Sequence, residues 1–249
     1  MKRIFSILLS LILTISVYGQ MMIPGVVASS GGSVTTLTNG VISSWKLDET
    51  SGDALDAVST NDGTLVASPT RGVTGKIGYC YTFNGTSQYI DMGAHVSALE
   101  PTAVTLAAWF KISVSSYDTP ASNINAALTT GYGMTTEATK LRGFAGYGTG
   151  VNITGGTSIN TGAWFHAVFT CDGSYIRLYI NGSSDATAVA FPYSITYTAG
   201  QKFFIAGRGD PAQFFAGSLD NITVWNRALT TDEITELYTT ENAGTPYPW

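Results

Sequence analysis

Carboxylates crowd together at one place in this 249-residue chain, Asp232-Glu233-x-x-Glu236, and such a group invites an acid/base reading. Hydrolysis of a glycosidic bond needs two carboxyls facing each other across a cleft, roughly 5 to 9.5 Å apart. A strand can present them as E-x-D-x-x-E, because alternate residues share a face. No strand-like segment here carries that pattern, and the six glutamates are otherwise isolated. The local pattern fits a helix start better. Thr230 with Glu233 three residues later makes a capping box, and Asp232 and Glu233 sit in the first turn, where the helix dipole favours negative charge. Ile234, Leu237 and Tyr238 then form one apolar stripe, leaving Glu236 to water. Other constellations are weaker still. Two histidines (His95, His166) and two cysteines make a poor zinc set. There is no G-x-S-x-G elbow, Walker A loop or dinucleotide fingerprint. Gly143-x-x-Gly146-x-Gly148 precedes no helix, and His166 in WFHAVFT reads as a polar strand residue. The expectation is a protein that is not an enzyme.

Binding chemistry has better material. Sugar sites pair exposed aromatic rings with amides and hydroxyls, since the apolar sugar face stacks while its hydroxyls need partners. Stretches read as loops offer Tyr117, Tyr132 with Met134, and Tyr147 among Asn and Thr. Tyr132 and Tyr147 are the expected ligand-binding residues. Equally open is that these rings only cover the rim of the domain.

The elements that would position them are strands. Val104 to Ile112 puts Val104, Leu106, Ala108, Phe110 and Ile112 on one face, with Thr105 and Lys111 opposite. Tyr175 to Ile180 alternates likewise and runs into Asn181-Gly182, a strong hairpin signal. Val41–Leu47, Lys202–Ala206 and Leu219–Trp225 are the other clear strands. Many short strands, 28 glycines and one short C-terminal helical turn predict an all-β, antiparallel two-sheet jelly-roll sandwich. The domain should span residues 41–240, with 241–249 as a tail.

Ahead of it, residues 1–19 carry a basic start (Lys2, Arg3), an apolar run and small residues before the cut, the layout of a secretory signal peptide. A retained anchor is the alternative, but the run is short of the about 20 residues a span needs. Residues 20–40, rich in Gly, Ser and Thr, read as a flexible lead-in. Charged residues are only 12% and net charge is −5, and beyond Lys2-Arg3 the Lys and Arg are scattered singly. Nucleic-acid and anionic-membrane partners both need clustered basic residues, so neither is expected, nor is membrane insertion once the signal is removed. Cys80 and Cys171 leave a disulfide open.

In order along the chain, VISSWKLDETSGDALDAVSTNDGTL, GKIGYCYTFNGTSQYIDMG, LAAWFKI, AWFHAVFTCDGSYIRLYING and GSLDNITVWNRALTTDEITELY resemble the laminin-G-like family of concanavalin A-like jelly rolls. The resemblance covers residues 41–238, with Asn84 and Cys171 departing from the family pattern. It implies a module that binds or adheres, in which the acidic cluster belongs to the closing strand and its capped turn. It also implies a structural Ca2+, for which Asp56, Asn61, Asp62 and Asp220 are the candidate ligands. Ordinary Asx turns are the alternative for those residues. The expected role is a secreted, extracellular module recognising a glycan or cell-surface ligand. The alternative is a structural protein of a virion surface or extracellular matrix, docking onto copies of itself through its termini. Arg208-Gly209-Asp210 spells an integrin-type tripeptide, a short motif that recurs by chance, and four N-x-S/T sequons matter only in a host that glycosylates them.

Overall fold

The structure is a computed structural model that describes residues 34–93, 95–114, 117–208 and 213–249. The expected signal peptide, residues 20–33 of the lead-in, and Gly209 and Asp210 of the tripeptide lie outside the described residues. None of the described helices is long and apolar enough to cross a membrane.

Two antiparallel sheets face each other. The first runs β13 (Ser183–Ser184), β12 (Tyr175–Ile180), β11 (Trp164–Cys171), β6 (Val104–Lys111), β16 (Ala216–Trp225), β4 (Tyr79–Asn84) and β3 (Thr70–Thr74). Beside this path, β1 (Val41–Trp45) pairs with β16 and β14 (Val189–Ala190) with β12, making nine strands. The second, of seven strands, runs β10 (Gly150–Ser158), β9 (Lys140–Tyr147), β8 (Thr130–Glu137), β7 (Ala121–Ile124), β15 (Phe204–Ile205), β5 (Tyr89–Asp91) and β2 (Thr64–Val66). Two α-helices, α1 (Val34–Leu37) and α2 (Thr231–Asn242), and a short 3-10 turn, Ser97–Leu99, complete the described chain. The expected two-sheet sandwich is therefore what the chain forms, although its closing helix is twelve residues long rather than one turn.

Alternation builds the main core. Leu106, Ala108 and Phe110 of β6 meet Phe169 of β11, Leu219 of β16, and Tyr132 and Met134 of β8 between the sheets. The Asn181-Gly182 hairpin forms as its sequence predicts, with φ of 50° and 76° at the two turn residues joining β12 to β13. β16 needs one irregularity to keep its faces sorted. Asp220 lies opposite Trp109 but Thr223 opposite Ala107, so one residue is extra, and Asn221 takes it with φ 46°. This bulge leaves Leu219, Ile222 and Val224 in the main core while Trp225 turns to the other side of the sheet.

That other side is covered. Ala107, Val168, Tyr179 and Trp225 pack against Leu37, Leu229, and Ile234 and Leu237 of α2, with Tyr247 beyond. The capping box exists: Glu233 N donates to Thr230 Oγ1 at 3.3 Å, and Thr230 N to Glu233 Oε2 at 2.8 Å. Arg227 bridges it to the start of the domain, donating to both Glu233 oxygens and to the Thr36 and Asn39 carbonyls. Two boundaries expected from sequence move as a result. Leu37, within the expected lead-in, is fully buried, and Trp225 Nε1 donates to its carbonyl at 2.8 Å. The 241–249 tail is part of the domain: Trp249 stacks on Tyr247 and donates to Ser44 Oγ. Cys80 and Cys171 are both buried and unpaired. Strands β4 and β11 are separated by β16 and β6, so about 14 Å of sheet lies between them, twice the reach of a disulfide.

Candidate functional site

Among the described residues, neither α1 nor α2 packs on the outer face of the seven-stranded sheet. One row crosses every strand of it in register: Asn152, Phe144, Gly133, Ser122, Phe204, Asp91 and Thr64. The adjacent row contains Tyr132 and Ala145, which point into the core, so this row faces outward. The chain from Thr196 to Gln201 is laid along the end of β7 and β8. Gly131 N donates to Thr196 O, Gln201 Nε2 donates to Asn123 O, and Gln201 Oε1 accepts from Thr130 Oγ1 and Thr198 N. Only glycine fits at 131, since a Cβ there would stand 1.7 Å from Asn123 O and φ is 90°.

This chain forms one wall of a hollow of 430 Å³, in the size range of small-ligand sites. Tyr89 and Phe204 supply apolar surface, and Tyr89 also packs on Phe214, with ring centroids 5.8 Å apart in both pairs. Asn125, Thr198, Asp91 and Lys202 supply amide, hydroxyl and charge. Lys202 Nζ and Asp91 Oδ2 are 3.5 Å apart and both partly exposed, a loose pair that a ligand can part at little cost. Ile124 also lines a second hollow of 40 Å³, bounded by Arg142, Asn152, Phe144 and Arg208.

The residues expected from sequence stand elsewhere. Tyr132 is a correction: it is fully buried in strand β8, its ring packed near Phe203 and Tyr197 and its hydroxyl on Leu99 O, so no ligand reaches it. Tyr147 ends β9, outside both hollows, and one face of its ring is occupied by Tyr193, with centroids 3.6 Å apart. Asp56, Asn61 and Asp62 do come together, but as a self-supporting loop. Asp56 accepts from Ser44 N, Val58 N and Ser59 Oγ, Asp62 Oδ1 accepts from Asp56 N, and Asn61 donates to Ser43 and Ser59. These bonds hold the Asp56 carboxyl low despite its partial burial. Asp220 is apart from them, accepting from Lys76 N and Ile77 N. Calcium needs 6 to 8 oxygens around it, and these four residues do not fit that requirement. Among the described residues no group of three or more His, Cys, Asp or Glu is placed to hold a metal.

Strongly shifted ionisable groups gather instead under α2. Asp220, Trp109 and His166 are cross-strand neighbours on β16, β6 and β11, and all face the helix. Glu241 of α2 accepts from Trp109 Nε1 at 2.7 Å and lies 3.5 Å from His166 Nε2, while Lys76 Nζ sits 4.9 Å over the Trp109 ring. Burial pushes the Glu241 carboxyl up to about 8 and Asp220 to about 7, and drives His166 down to about 3. At neutral pH His166 is neutral and Glu241 holds its proton. Such shifts mark active sites when a substrate can arrive. Here the three side chains are at most 5% exposed, and neither of the two hollows on the other sheet is lined by them. The acidic cluster of the sequence is equally structural: Arg227 holds Glu233 low, and Glu236 accepts from Tyr247 Oη at 3.4 Å.

Sequence reasoning missed the open-face residues. Their signal was alternation in two short strands, Tyr89 and Asp91 in YID and Arg142 and Phe144 in KLRGFAGY, where every second residue is large or polar and faces out.

Comparison with known proteins supports the fold on independent grounds. No curated protein matches this chain. Among solved structures, domain 4 of AbnA, a GH43 extracellular arabinanase from Geobacillus stearothermophilus, in complex with arabinotriose, is similar at TM-score 0.61 and 20% identity. The match covers 80% of this chain and 98% of that one. The binding domain of Paraclostridial Mosquitocidal Protein 1 is similar at TM-score 0.64 and 14% identity, covering 83% of this chain and 55% of that one. The binding domain of botulinum neurotoxin DC, in complex with SialylT, follows at 0.62 and 9%, covering 82% and 52%. This chain thus spans about half the length of the two toxin chains. At these identities the likeness is one of fold. Residues 84–235 match the sequence family Laminin_G_3, and the chain belongs to the concanavalin A-like lectin/glucanases superfamily.

Proposed function

We propose that this protein is a non-catalytic, extracellular glycan-binding module that takes its ligand on the outer face of the seven-stranded sheet. The observation that carries this reading is the 430 Å³ hollow, which sets the Tyr89 and Phe204 rings beside the Asn125, Thr198, Asp91 and Lys202 polar groups. An apolar wall with few fixed polar groups suits a sugar, whose ring faces are apolar and whose edges carry hydroxyls. Structural likeness to an arabinanase domain seen with arabinotriose and to toxin binding domains supports the same reading. The placement of the carboxyls supports the non-catalytic part of this reading. The hollow is lined by one acidic residue, Asp91, already beside Lys202, and a hydrolase needs two facing each other.

The assembly alternative has less support. The TPYPW terminus, the segment it would offer to a neighbour, is docked on its own domain through Tyr247 and Trp249.

A glycan array probed with the purified protein tests the proposal. Binding to a defined set of saccharides is expected, with at least about tenfold loss in Tyr89→Ala, the cost of one stacked aromatic anchor. Silence of folded protein across the array, or binding that Tyr89→Ala leaves intact, would overturn it.

A further inference from the structure

We infer that the ligand of the larger hollow is an uncharged saccharide held by two hydroxyls on neighbouring carbons, and that Asp91 and Lys202 together read them. The inference rests on the glycan reading above and narrows it to neutral sugars with a free vicinal diol. Its first support is charge. Among the described residues that line the 430 Å³ hollow, Asp91 and Lys202 are the two that carry charge, one of each sign. An acidic group would have to sit beside Asp91 to reach Lys202, and an amine beside Lys202 to reach Asp91. Either brings like charges together, which is costly. A pair of hydroxyls meets both residues without that penalty.

The second support is the geometry of the pair. Lys202 Nζ and Asp91 Oδ2 stand 3.5 Å apart, wider than the about 2.7–2.9 Å of a well-made charge-assisted bond. The two side chains are 38% and 26% exposed, so both remain open to an incoming group. Asp91 is also aimed. Gly93 N donates to its Oδ1 at 2.8 Å, which anchors the carboxyl and leaves Oδ2 on the side of Lys202. A hydroxyl both donates and accepts. Of two on neighbouring carbons, one donates to Oδ2 while the other accepts from Nζ. A single hydroxyl bridging both atoms at normal length would need an angle sharper than a right angle at its oxygen, where its O–H and lone pairs stand near the tetrahedral angle.

The third support is position. Asp91 is the cross-strand partner of Phe204, and Tyr89 lies two residues before it on the same face of β5. The aromatic wall and the charged pair are thus side by side. A sugar ring laid on half-buried Tyr89 can turn its edge, where equatorial hydroxyls project, to Asp91 and Lys202.

The test is an array holding neutral oligosaccharides beside uronic acid-, sialic acid- and amino sugar-terminated ones, probed with the full chain. Calorimetric titration of the hits and of their singly deoxygenated and O-methylated analogues follows. Neutral saccharides are expected to bind, and loss of either hydroxyl of one vicinal pair should weaken binding about 10- to 100-fold, the range of a hydrogen bond to a charged group. Asp91→Asn and Lys202→Met should each weaken the parent sugar at least about tenfold and leave the deoxygenated analogue nearly unchanged. Their combined loss should be less than the product of the two, because they read one group. Asp91→Asn should also admit acidic saccharides that the wild type refuses, since the repelling charge is gone and Lys202 remains, a change that a merely structural Asp91 would not produce. Three outcomes would overturn the inference and leave the glycan module standing: a wild-type preference for acidic or amino sugars, analogues bound as tightly as the parent at every position, or an affinity that both variants leave intact while Tyr89→Ala abolishes it. Silence of folded protein across the array would overturn both.

Discussion

The two outer faces of this sandwich have opposite fates. On the nine-stranded sheet, α2 and the C-terminal residues cover a patch of Ala107, Val168, Tyr179 and Trp225, and enclose Asp220, His166 and Glu241. On the seven-stranded sheet the outward row has no helix over it among the described residues: Phe144, Gly133, Ser122 and Phe204 in its middle are buried, while Asn152, Asp91 and Thr64 toward its ends reach solvent, and two hollows are lined from this face. Three strongly shifted groups, Asp220, His166 and Glu241, thus lie on the face that α2 covers. A shifted carboxyl alone is therefore a poor guide to function in this fold. Burial under a helix produces the same shift as an active site, and access separates the two.

Matched substitutions on the two faces give the largest expected contrast. Leu237 of α2 is 1% exposed among Ile234, Trp225 and Tyr179, and Leu237→Ala should cost about 2–5 kcal/mol in chemical denaturation. Lys202→Ala on the open face should stay within about 0.5 kcal/mol, because the side chain is 38% exposed and its pair with Asp91 is loose. Similar costs for the two would mean that α2 is only lightly seated and the faces are alike.

A smaller effect separates the faces by pH. The unfolded chain ionises Glu241 near 4.5, whereas the native chain holds its proton up to about 8. Across that window the native state binds more protons, so wild-type stability must fall as pH rises, with a total on the order of a few kcal/mol. Asp220 adds a slope of the same sign from 3.8 to about 7, and His166 one of opposite sign below 6.5. Asp220 and His166 face Glu241 from the sheet and Lys76 lies over Trp109, so Glu241→Gln isolates one contribution within this group. The amide can still accept from Trp109 Nε1. Melting temperatures of wild type and Glu241→Gln should converge or cross as pH is raised from 5 to 8.5, the wild type losing ground throughout. Parallel curves would show that Glu241 is ionised and solvated, and that the closed face is not closed.

The closed face was half legible in the sequence and the open one barely. The capping box, the apolar stripe of α2 and the alternation of β6 and β12 are local patterns, set by neighbours within a few residues, and they could be read directly. Trp109 with Glu241 is a contact across 132 residues, for which a single sequence carries no signal. The bulge at Asn221 switches the alternation of β16 midway, so simple alternation along Leu219–Trp225 does not reveal that Trp225 packs on the other side of the sheet from Leu219. Tyr132 was misplaced for a related reason. Gly131 and Gly133 on either side of it resemble loop chemistry, but a Cβ at either would strike β7, and the glycines let the adjoining strand and the Thr196–Gln201 chain lie close over β8. The terminal aromatics read as free because their partners, Trp225 and Ser44, are far away in sequence.

Calcium should have the smallest effect. A cation that binds only the native state raises the melting temperature by mass action, so a structural site must show itself when calcium is added or chelated. The Asp56–Asp62 loop spends its carboxylate oxygens on Ser44, Val58, Ser59 and the Asp56 amide, and Asp220 gives one oxygen to Lys76 and Ile77. The expected shift is under about 1 °C. One atom gives this prediction its edge: Asp220 Oδ1 is buried without a partner, and a cation entering the closed face would bind there. A rise of several degrees that Asp220→Asn abolishes would make the covered face a metal-bearing one, and its Asp220 shift would then report a missing ion rather than burial. A rise abolished by Asp62→Ala alone would place the ion in the loop and leave the contrast between the two faces as it stands.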